Sequence, residues 1–362
     1  MDEAMKTMRT RYCPAVECSI ARYFDAKIAC EKNAFIRECL PLLKEYCLRP
    51  GKRIRPLLVL SAFEGYSARS AVEGMIDIAA AAEIMHAAFL VHDDIIDRAE
   101  TRRGLSTLDR VLQRKLGSAR TPLAGHDEGI VFGDLLIYAS MELTGSADID
   151  PALKVSVMNE TLDIYRRTAW GQALDIVCSK PEQVRADDVN PAAVSEMKTA
   201  YYTIAGPLRT GLRMSGKFTE EEGDRITRAS LPLGIAFQLR DDLLGVFADE
   251  QAIGKSPDSD LAEGKYTLLV QKAVSMMSGS DAGRFNALFS GEAPSASDVA
   301  EMRSLIEKSG AKDFCAEEVG RMVSDARMKI DELSIRGEGK EFLCGLCSLI
   351  GDISAIGIPG RR

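Results

Sequence analysis

Apolar positions along this chain recur mainly at the spacing of an α-helix. Steps of three and four residues separate the members of two series: Ile84, Ala88, Val91 and Ile95, and further along Ile235, Leu239 and Leu243. Residues at this spacing lie on one face of a helix and predict helices packed against neighbours. Alternating runs of β-branched residues, which would favour strands, are scarce. The pattern therefore predicts an all-α protein of about a dozen helices.

The predicted helices are separated by segments rich in glycine, proline and small polar residues. These breaks fall at residues 50–51, 118–129, 145–151, 180–191, 254–264 and 291–297. None is a low-complexity linker, and the chain has no fixed-period repeat. We expect a single large helical bundle over residues 1–362. Its motif-bearing core spans residues 51–265, and its C-terminal helices continue to residue 355.

The most apolar stretch, residues 75–91, contains Asp77, Glu83 and His86. Titratable groups at these positions favour a buried core helix over a membrane span. The first residues of the chain are polar and interrupted, unlike the apolar region of a secretory signal peptide. The sequence predicts a soluble, cytoplasmic protein without a transmembrane segment.

Composition removes several classes of function. The chain of 362 residues has 46 basic and 54 acidic residues, a net charge of −8. It therefore has no overall basic field to bind nucleic acid or an anionic membrane. Nine cysteines are scattered along the chain, which indicates reduced thiols. Cys344 and Cys347 form a CxxC, but no second ligand pair accompanies them, so we expect structural helix residues.

The first candidate for chemistry is the stretch LVHDDIIDRAETRRG, residues 90–104. On a helix His86, Phe89, Asp93 and Asp97 share one face, with Asp94 beside them. Clustered carboxylates suit Mg²⁺, which commonly bridges to substrate phosphates. Taken alone, the cluster fits a solvated acidic helix end and a metal site about equally well.

A second acidic cluster lies in FQLRDDLLG, residues 237–245. Gly234, Gln238, Asp241 and Gly245 share one helix face, and Asp242 follows Asp241. Two inward-facing acidic helix ends in one bundle predict a site for several metal ions across a cavity. A di-iron site would need the ExxH motif twice, and the chain has only the copy at residues 83–86, so that chemistry is excluded.

Basic residues occur in short islands that fit a diphosphate site. Arginine binds phosphate through a bidentate fork and lysine through a compact charge. Each is by itself more often a solvated surface charge, but their occurrence with two acidic clusters favours binding. The candidates are Lys52, Arg53, Arg55, Arg102, Arg103, Lys198, Lys255 and Lys265.

Together these motifs resemble the trans-isoprenyl diphosphate synthase, or polyprenyl synthetase, family. In chain order they are GKRIRP (51–56), HAAFLVHDDIID (86–97), RRG (102–104), GD (133–134), GQALD (171–175), KT (198–199), FQLRDD (237–242), GK (254–255) and EGK (263–265). The resemblance implies the isoprenoid synthase fold with a deep central cavity, usually as a homodimer. It implies head-to-tail condensation of isopentenyl diphosphate with an allylic diphosphate (dimethylallyl, geranyl or farnesyl).

The resemblance also implies a metal set and an allylic site. Two Mg²⁺ ions would be bound by Asp93, Asp94 and Asp97, and a third by Asp241 with Asp242 nearby. Mn²⁺ is an expected substitute. The allylic diphosphate would be held through these ions and by Arg102, Lys198 and Lys255. Metals and fixed cations of this kind stabilise the charge that develops on the leaving diphosphate.

Further residues are implied around the second substrate and the reacting carbons. Isopentenyl diphosphate would be bound by Lys52, Arg55, His86 and Arg103. The allylic cation would face Thr199, Gln238 and the carbonyl of Lys198, with Phe237 as a further substrate-binding residue. Lys265 would lie near the 254–264 loop, whose expected role is a lid that excludes water. The released diphosphate can take the final proton.

Two features depart from the family pattern. The second aspartate motif commonly ends in Asp, and this chain has Gly245 there. We expect activity to survive, because Asp241 supplies the main carboxylate; a similar variant occurs in some geranylgeranyl diphosphate synthases. Residues 118–129 are less typical of the family and receive no role.

Product length should be set beneath the first aspartates. Phe89 and Met85 lie about 6 and 12 Å down the helix from Asp93, at ~1.5 Å per residue. Ala88 is small, and in this family a bulky aromatic at that position closes the pocket around a fifteen-carbon chain. We predict a twenty-carbon product, geranylgeranyl diphosphate, with farnesyl diphosphate as the alternative.

Other functions on related folds fit the sequence less well. A class I terpene cyclase would not need an isopentenyl site at Lys52, Arg55 and Arg103. A squalene or phytoene synthase would lack the GKRIRP and RRG pair. A regulatory subunit without activity would be expected to have lost its aspartates, whereas the first set is complete.

Overall fold

The computed structural model describes residues 3–102, 104–117, 121, 123–178, 191–248, 259–262, 264–290 and 294–356. The α-helices in these residues are α1 Glu3–Cys30, α2 Ala34–Leu48, α3 Ile54–Ser67, α4 Glu73–Ile96, α5 Leu108–Leu116, α6 Ala124–Ser146, α7 Pro151–Cys178, α8 Pro191–Val194, α9 Gly206–Met214, α10 Glu220–Phe247, α11 Ser259–Ala262, α12 Leu268–Met276, α13 Gly279–Phe289, α14 Ala296–Lys308, α15 Ala311–Asp331 and α16 Gly337–Gly351. A π-helix, Ser195–Ala205, joins α8 to α9, and a 3₁₀ turn, Ser354–Ile356, follows α16. Two short strands, β1 Thr101–Arg102 and β2 Leu105–Ser106, form an antiparallel hairpin. The predicted all-α fold is confirmed.

Several helices begin at residues whose side chains cap the first turn. Asn33 accepts hydrogen bonds from the amides of Phe35 and Ile36 at the start of α2. Thr219 caps α10, whose first turn consists of three glutamates that complement the helix dipole. Ser295 and Asp298 form a reciprocal capping box on α14. These local signals explain where the helices start.

Helix α4 lies in the middle of the bundle. It packs most extensively on α6 and also contacts α1 and α3. The stripe Ile84, Ala88, Val91 and Ile95 is buried, as its spacing predicted. Of the helices that the structure describes, α4 alone is long and apolar enough to cross a membrane, and 61% of its most apolar window is buried inside the protein. It has the character of a core helix.

The break predicted at residues 118–129 is too long, because α6 begins at Ala124. Gly125 and Gly129 fall within that predicted break, but the structure has them inside α6. A Cβ on Gly125 would stand 2.2 Å from the carbonyl oxygen of Asp109, and one on Gly129 would stand 2.8 Å from Ile95 Cδ1. These glycines allow α6 to approach α5 and α4 closely, and the sequence alone does not distinguish that use from a turn.

Candidate active site

The acidic end of α4 leads directly into the β1–β2 hairpin. Asp97 caps the helix, with its amide donating to the Asp93 carbonyl. The chain then turns through Arg98, at φ 54°, and the hairpin pairs Arg102 with Leu105. Gly104, at φ 75°, has the left-handed conformation that favours glycine. This reversal returns Arg102 to the aspartates that precede it.

Arg102 binds two of the three aspartates. Its Nε donates to Asp94 Oδ1 at 2.7 Å, and its Nη2 donates to Asp93 Oδ2 at 3.2 Å. The phenol of Tyr46 on α2 donates to Asp94 Oδ2 at 2.9 Å. Burial raises the pKa of Asp94 despite this arginine. Asp94 is thus the most enclosed of the three carboxylates, at 1% exposure.

Lysines hold the other aspartates. Lys198 Nζ donates to Asp93 Oδ1 at 2.9 Å and to Asp175 Oδ2 at 2.5 Å. Burial would raise the pKa of Asp93, but Lys198 and Arg102 outweigh it and lower that pKa. Burial would lower the pKa of Lys198, but Asp93 and Asp175 outweigh it and raise that pKa. Lys265 Nζ binds Asp97 Oδ2 at 2.8 Å. Asp93 and Asp97 are therefore each paired with a lysine from a distant segment, whereas Asp94 is paired with Arg102 of the adjoining hairpin.

The backbone of the π-helix that carries Lys198 is in close contact with two glycines on neighbouring helices. A Cβ on Gly171 of α7 would lie 2.3 Å from the Lys198 amide nitrogen, and one on Gly234 of α10 would lie 2.4 Å from Ala200 Cα. π-Helical geometry is rare and concentrates at functional sites. Backbone contact on both sides fixes the position of Lys198, and this explains the glycine in GQALD.

A hydrogen-bonded chain joins the π-helix to the second acidic cluster. Thr199 Oγ1 donates to Gln238 Oε1 at 3.0 Å, and Gln238 Nε2 donates to Asp242 Oδ1 at 2.8 Å. Asp242 is 3% exposed, whereas the side chain of Asp241 is 47% exposed, with Arg240 Nη1 at 3.5 Å. The two neighbouring carboxylates therefore face different surroundings. Phe237 is half-buried and packs against the main core.

A small, partly open cavity of about 20 Å³, enough for one water molecule, lies beside the first aspartates. Its wall combines three arginines with one acid and one histidine; the lining residues are Tyr46, Cys47, Arg49, Arg53, Glu83, His86, Ala87, Leu90 and Arg102. Arg49 Nη1 donates to the Ser106 carbonyl at 2.8 Å, and its guanidinium stacks on the Tyr46 ring. Each arginine also pairs with a carboxylate: Arg49 with Glu45, Arg53 with Glu83 and Arg102 with Asp94. An anion in this cavity would compete with those carboxylates for the guanidinium groups.

Arg55 and His86 meet at Tyr202. The Arg55 guanidinium lies 4.0 Å over the Tyr202 ring, and its Nη2 donates to Thr203 Oγ1 at 2.7 Å. His86 Nδ1 is hydrogen-bonded to the Tyr202 hydroxyl. Lys52 is exposed at the start of the same segment. The structure thus gathers Arg55 and His86, which are 31 residues apart in sequence, around one tyrosine.

Beneath Asp93 the space is filled by a small apolar cluster. Its buried members are Met85, Ile164, Tyr165, Tyr201, Tyr202 and Ala205, and Phe89 packs against them. Ala88 is fully buried in the larger core cluster, which extends from Met5 to Ile356. Met85 and Phe89 therefore lie in one cluster and Ala88 in the other.

Gly133 and Asp134 of the GD motif contact the histidine that precedes Asp93. A Cβ on Gly133 would stand 2.2 Å from His92 Nε2. The same nitrogen lies 3.1 Å from the Ile130 carbonyl and 3.5 Å from Asp134 Oδ1. The motif lets α6 pack directly on the end of α4 that bears the aspartates.

Two predicted site residues, Arg103 and Lys255, lie outside the described residues. Within those that are described, no three His, Cys, Asp or Glu side chains are arranged to hold a metal ion. Sequence reasoning assigned no role to Tyr46, Arg49, Asp175 or Tyr202. Asp175 lies in the GQALD motif and Arg49 lies two residues before the basic GKRIRP segment, so the sequence contains a signal for both. Tyr46 and Tyr202 carry no local signal.

Comparison with known proteins identifies close structural and sequence relatives. The chain is 32% identical over 302 residues to a geranylfarnesyl diphosphate synthase of Aeropyrum pernix, across 81% of this chain and 87% of the relative. It is 27% identical over 283 residues to a geranylgeranyl diphosphate synthase of Methanosarcina mazei, across 78% and 80%. A crystal structure of geranylgeranyl pyrophosphate synthase from Corynebacterium glutamicum, complexed with isoprenyl diphosphate and magnesium, matches with a TM-score of 0.87 and 27% identity, across 95% and 99%.

The fold, the paired charged sites and these relatives together define a prenyltransferase. The family model described as Polyprenyl synthetase matches residues 37–306. The chain belongs to the polyprenyl synthetase family.

Proposed function

We propose that this protein condenses isopentenyl diphosphate head to tail with an allylic diphosphate, with geranylgeranyl diphosphate as the main product. The observation that carries this proposal is the adjacency of two unlike charged sites. One is the aspartate cluster bound by Arg102, Lys198 and Lys265. The other is the basic cavity that Arg102 also lines. Two adjacent sites fit a reaction between two diphosphates.

The aspartates fit divalent metal ions by the chemistry of their donors. Asp93, Asp94, Asp97 and Asp241 offer only carboxylate oxygens, which Mg²⁺ prefers. We propose that they hold two or three Mg²⁺ ions, with Mn²⁺ as a substitute. Bound metal would supply positive charge to the leaving diphosphate. Support comes from the Corynebacterium glutamicum relative, which was solved with magnesium.

The basic residues are proposed to divide between the two substrates. Arg102, Lys198 and Lys265 now neutralise aspartates, and a bound diphosphate would offer them new oxygen partners. Lys255 is assigned to the same allylic diphosphate from the family motif. On this proposal Thr199 and Gln238, which are hydrogen-bonded to each other, line the path of the allylic cation.

Isopentenyl diphosphate is assigned to the basic cavity and its rim. Lys52, Arg55, His86 and Arg103 are carried over from the family motifs, and Arg49 joins them because it lines the cavity. A terpene cyclase would have no second diphosphate to hold there, so this basic cavity disfavours that alternative.

The twenty-carbon product is proposed from the apolar cluster beneath the aspartates. Phe89 and Met85 occupy it one and two turns below Asp93. Relatives named for twenty-carbon and twenty-five-carbon products support a pocket longer than that for farnesyl diphosphate. A farnesyl diphosphate synthase remains the alternative to be separated by product analysis.

A homodimer is proposed from an exposed apolar face. Spacings of three, four, seven and eight residues align its members on two neighbouring helices: Val131, Leu135 and Tyr138 on α6, and Val155, Leu162, Trp170 and Val177 on α7. Tyr138 is 65% exposed and Trp170 is 61% exposed. Large apolar side chains exposed along neighbouring helices in this way are typical of a protein interface.

The test incubates the purified protein with Mg²⁺, labelled isopentenyl diphosphate and, separately, each allylic primer, and separates the dephosphorylated products by chromatography. We expect elongation to geranylgeraniol and no elongation after chelation of the metal. Farnesol as the final product would establish the alternative. No incorporation of label with any primer would refute the proposed function.

A further inference from the structure

Three aromatic rings meet below the aspartates and close the space there. Phe89 contacts the Tyr202 ring edge-on, with centroids 5.2 Å apart and an interplanar angle of 89°. Its other contact is Tyr165 of α7, at 5.8 Å and 78°. Phe89 lies one helical turn, about 6 Å, below Asp93. Tyr165 therefore borders the path that an apolar chain would follow downward from the aspartates past Phe89.

Hydrogen bonds fix the Tyr165 ring in this position. Its hydroxyl donates to Ser140 Oγ at 2.6 Å, and Ser140 Oγ donates to the Ala81 carbonyl at 2.8 Å. This short series connects α7, α6 and α4. Burial raises the pKa of Tyr165, so the phenol remains a protonated donor. An aromatic ring held at its far end to two other helices resists displacement by a growing chain.

A narrow crevice lies beyond this ring. It is too narrow to admit a water molecule and is lined by Met141 and Thr144 of α6 with Met158 and Thr161 of α7. Thr161 precedes Tyr165 by four residues, so on the same helix face the crevice begins about 6 Å further down. Met141 lines the crevice and also packs on the Tyr165 cluster. Tyr165 therefore lies between Phe89 and this crevice.

We propose that Tyr165 is the floor of the prenyl channel and that the channel would continue into the crevice of Met141, Thr144, Met158 and Thr161 if the ring were removed. The inference rests on the proposed function and adds a length-determining residue on α7 that no family motif identifies. The apolar tail elongates until its end meets the Tyr165 ring. Removing the ring vacates its own volume next to the crevice and gives the tail room for a further five-carbon unit or more.

The experiment compares product lengths in four variants, each supplied with Mg²⁺, isopentenyl diphosphate and farnesyl diphosphate. Tyr165→Ala is expected to shift the main product from C20 to C25 or longer. Tyr165→Phe keeps the ring and should retain C20. Thr161→Phe obstructs the crevice and should leave C20 unchanged by itself, because the tail does not reach the crevice while the ring is present. In the Tyr165→Ala background, Thr161→Phe should return the product to C20.

Circular dichroism establishes that each variant is folded, and Tyr165→Leu, which retains more of the packing, carries the same test if Tyr165→Ala does not fold. An unchanged product length in folded Tyr165→Ala or Tyr165→Leu overturns the inference. So does a longer product that persists in the double variant, because the tail would then extend elsewhere. Failure of the unmutated protein to incorporate isopentenyl diphosphate is a different outcome and refutes the proposed function itself.

Discussion

Arg53 Nη1 donates to Glu83 Oε1 at 2.8 Å, and the two side chains are only 2% and 5% exposed. Arg53 stands at φ 51°, in the left-handed region that non-glycine residues rarely occupy. The ion pair therefore holds an unusual turn in place, between the exposed Lys52 and Arg55. It attaches this turn to α4 three residues before His86. The pair thus joins the two segments proposed to bind isopentenyl diphosphate.

Glu83→Gln should destabilise the protein and weaken isopentenyl diphosphate binding selectively. Loss of the Glu83 charge leaves the buried Arg53 with only the more exposed Glu17 as a counter-charge, and breaking a buried pair in this way costs up to about 3–5 kcal/mol. Urea denaturation measures the stability, and steady-state kinetics give KM for each substrate. We expect KM to rise for isopentenyl diphosphate more than for the allylic diphosphate.

Glu17→Gln is the matched control. Glu17 also accepts a hydrogen bond from Arg53, at 3.1 Å, but its side chain is 45% exposed. An exposed partner of this kind contributes at most about 1 kcal/mol. Equal losses of stability in the two variants would contradict the special importance of the buried pair.

Gly234→Ala and Gly171→Ala should each disturb the π-helix. Their added methyl groups would meet backbone atoms of Ala200 and Lys198 at 2.4 and 2.3 Å, so the helix must move. Misplacement of a catalytic group by about 1 Å can cost roughly a hundredfold in rate. Gly320→Ala, in open space on α15, is the control and should not reduce activity. Full activity in both site variants would show that the position of Lys198 tolerates such a shift.

Ala88→Phe tests the position that the sequence assigned to the pocket floor. We predict a product shortened toward C15, together with a loss of stability of about 1–3 kcal/mol, because Ala88 is fully buried. Ala79→Phe overfills the same helix far from the aspartates and should destabilise without shortening the product. A folded Ala88→Phe enzyme that still makes C20 would remove Ala88 from the floor. Chromatography of the alcohols and thermal denaturation provide the two measurements.

At pH 8 the reactivity of each cysteine thiol should depend on how deeply the residue is buried. Burial raises the pKa of Cys315 and Cys347 to about 12, so their thiols stay protonated and unreactive. Cys18 and Cys30 are exposed and should be labelled first by a maleimide pulse followed by mass spectrometry. In denaturant all nine thiols should react. Rapid labelling of native Cys347 would contradict its buried, structural assignment.

Tyr138→Glu should separate a dimer into monomers if α6 forms the proposed interface. A charge on the apolar face would be buried without a partner, which strongly disfavours association. Met328→Glu is the control, because Met328 has the same exposed fraction, 65%, on α15. Sedimentation velocity provides the mass of each species. An unmutated protein that sediments as a monomer, or a Tyr138→Glu protein that remains a dimer, would exclude this interface.

The helical character of the chain and the position of its charged motifs follow from local spacing. The stripe through Ile84, Ala88, Val91 and Ile95 is buried because residues three and four apart share a helix face whatever the helix packs against. The same rule aligned Phe89 with Asp93. Glycines were less informative: Gly125 reads as a loop residue in sequence, yet it marks a close helix contact.

The partners of those motifs depend on contacts between distant segments. The sequence shows that Asp93 and Lys198 carry opposite charge, but their salt bridge spans 105 residues and exists only because Gly171 and Gly234 hold the π-helix against its neighbours. Arg53 resembles the other basic residues of GKRIRP, and only the packing of α1 and α4 buries it against Glu17 and Glu83. Tyr165 lies in none of the sequence motifs. Local spacing determines which face a residue occupies, whereas burial, which sets the strength of charge pairing, is a property of the assembled bundle.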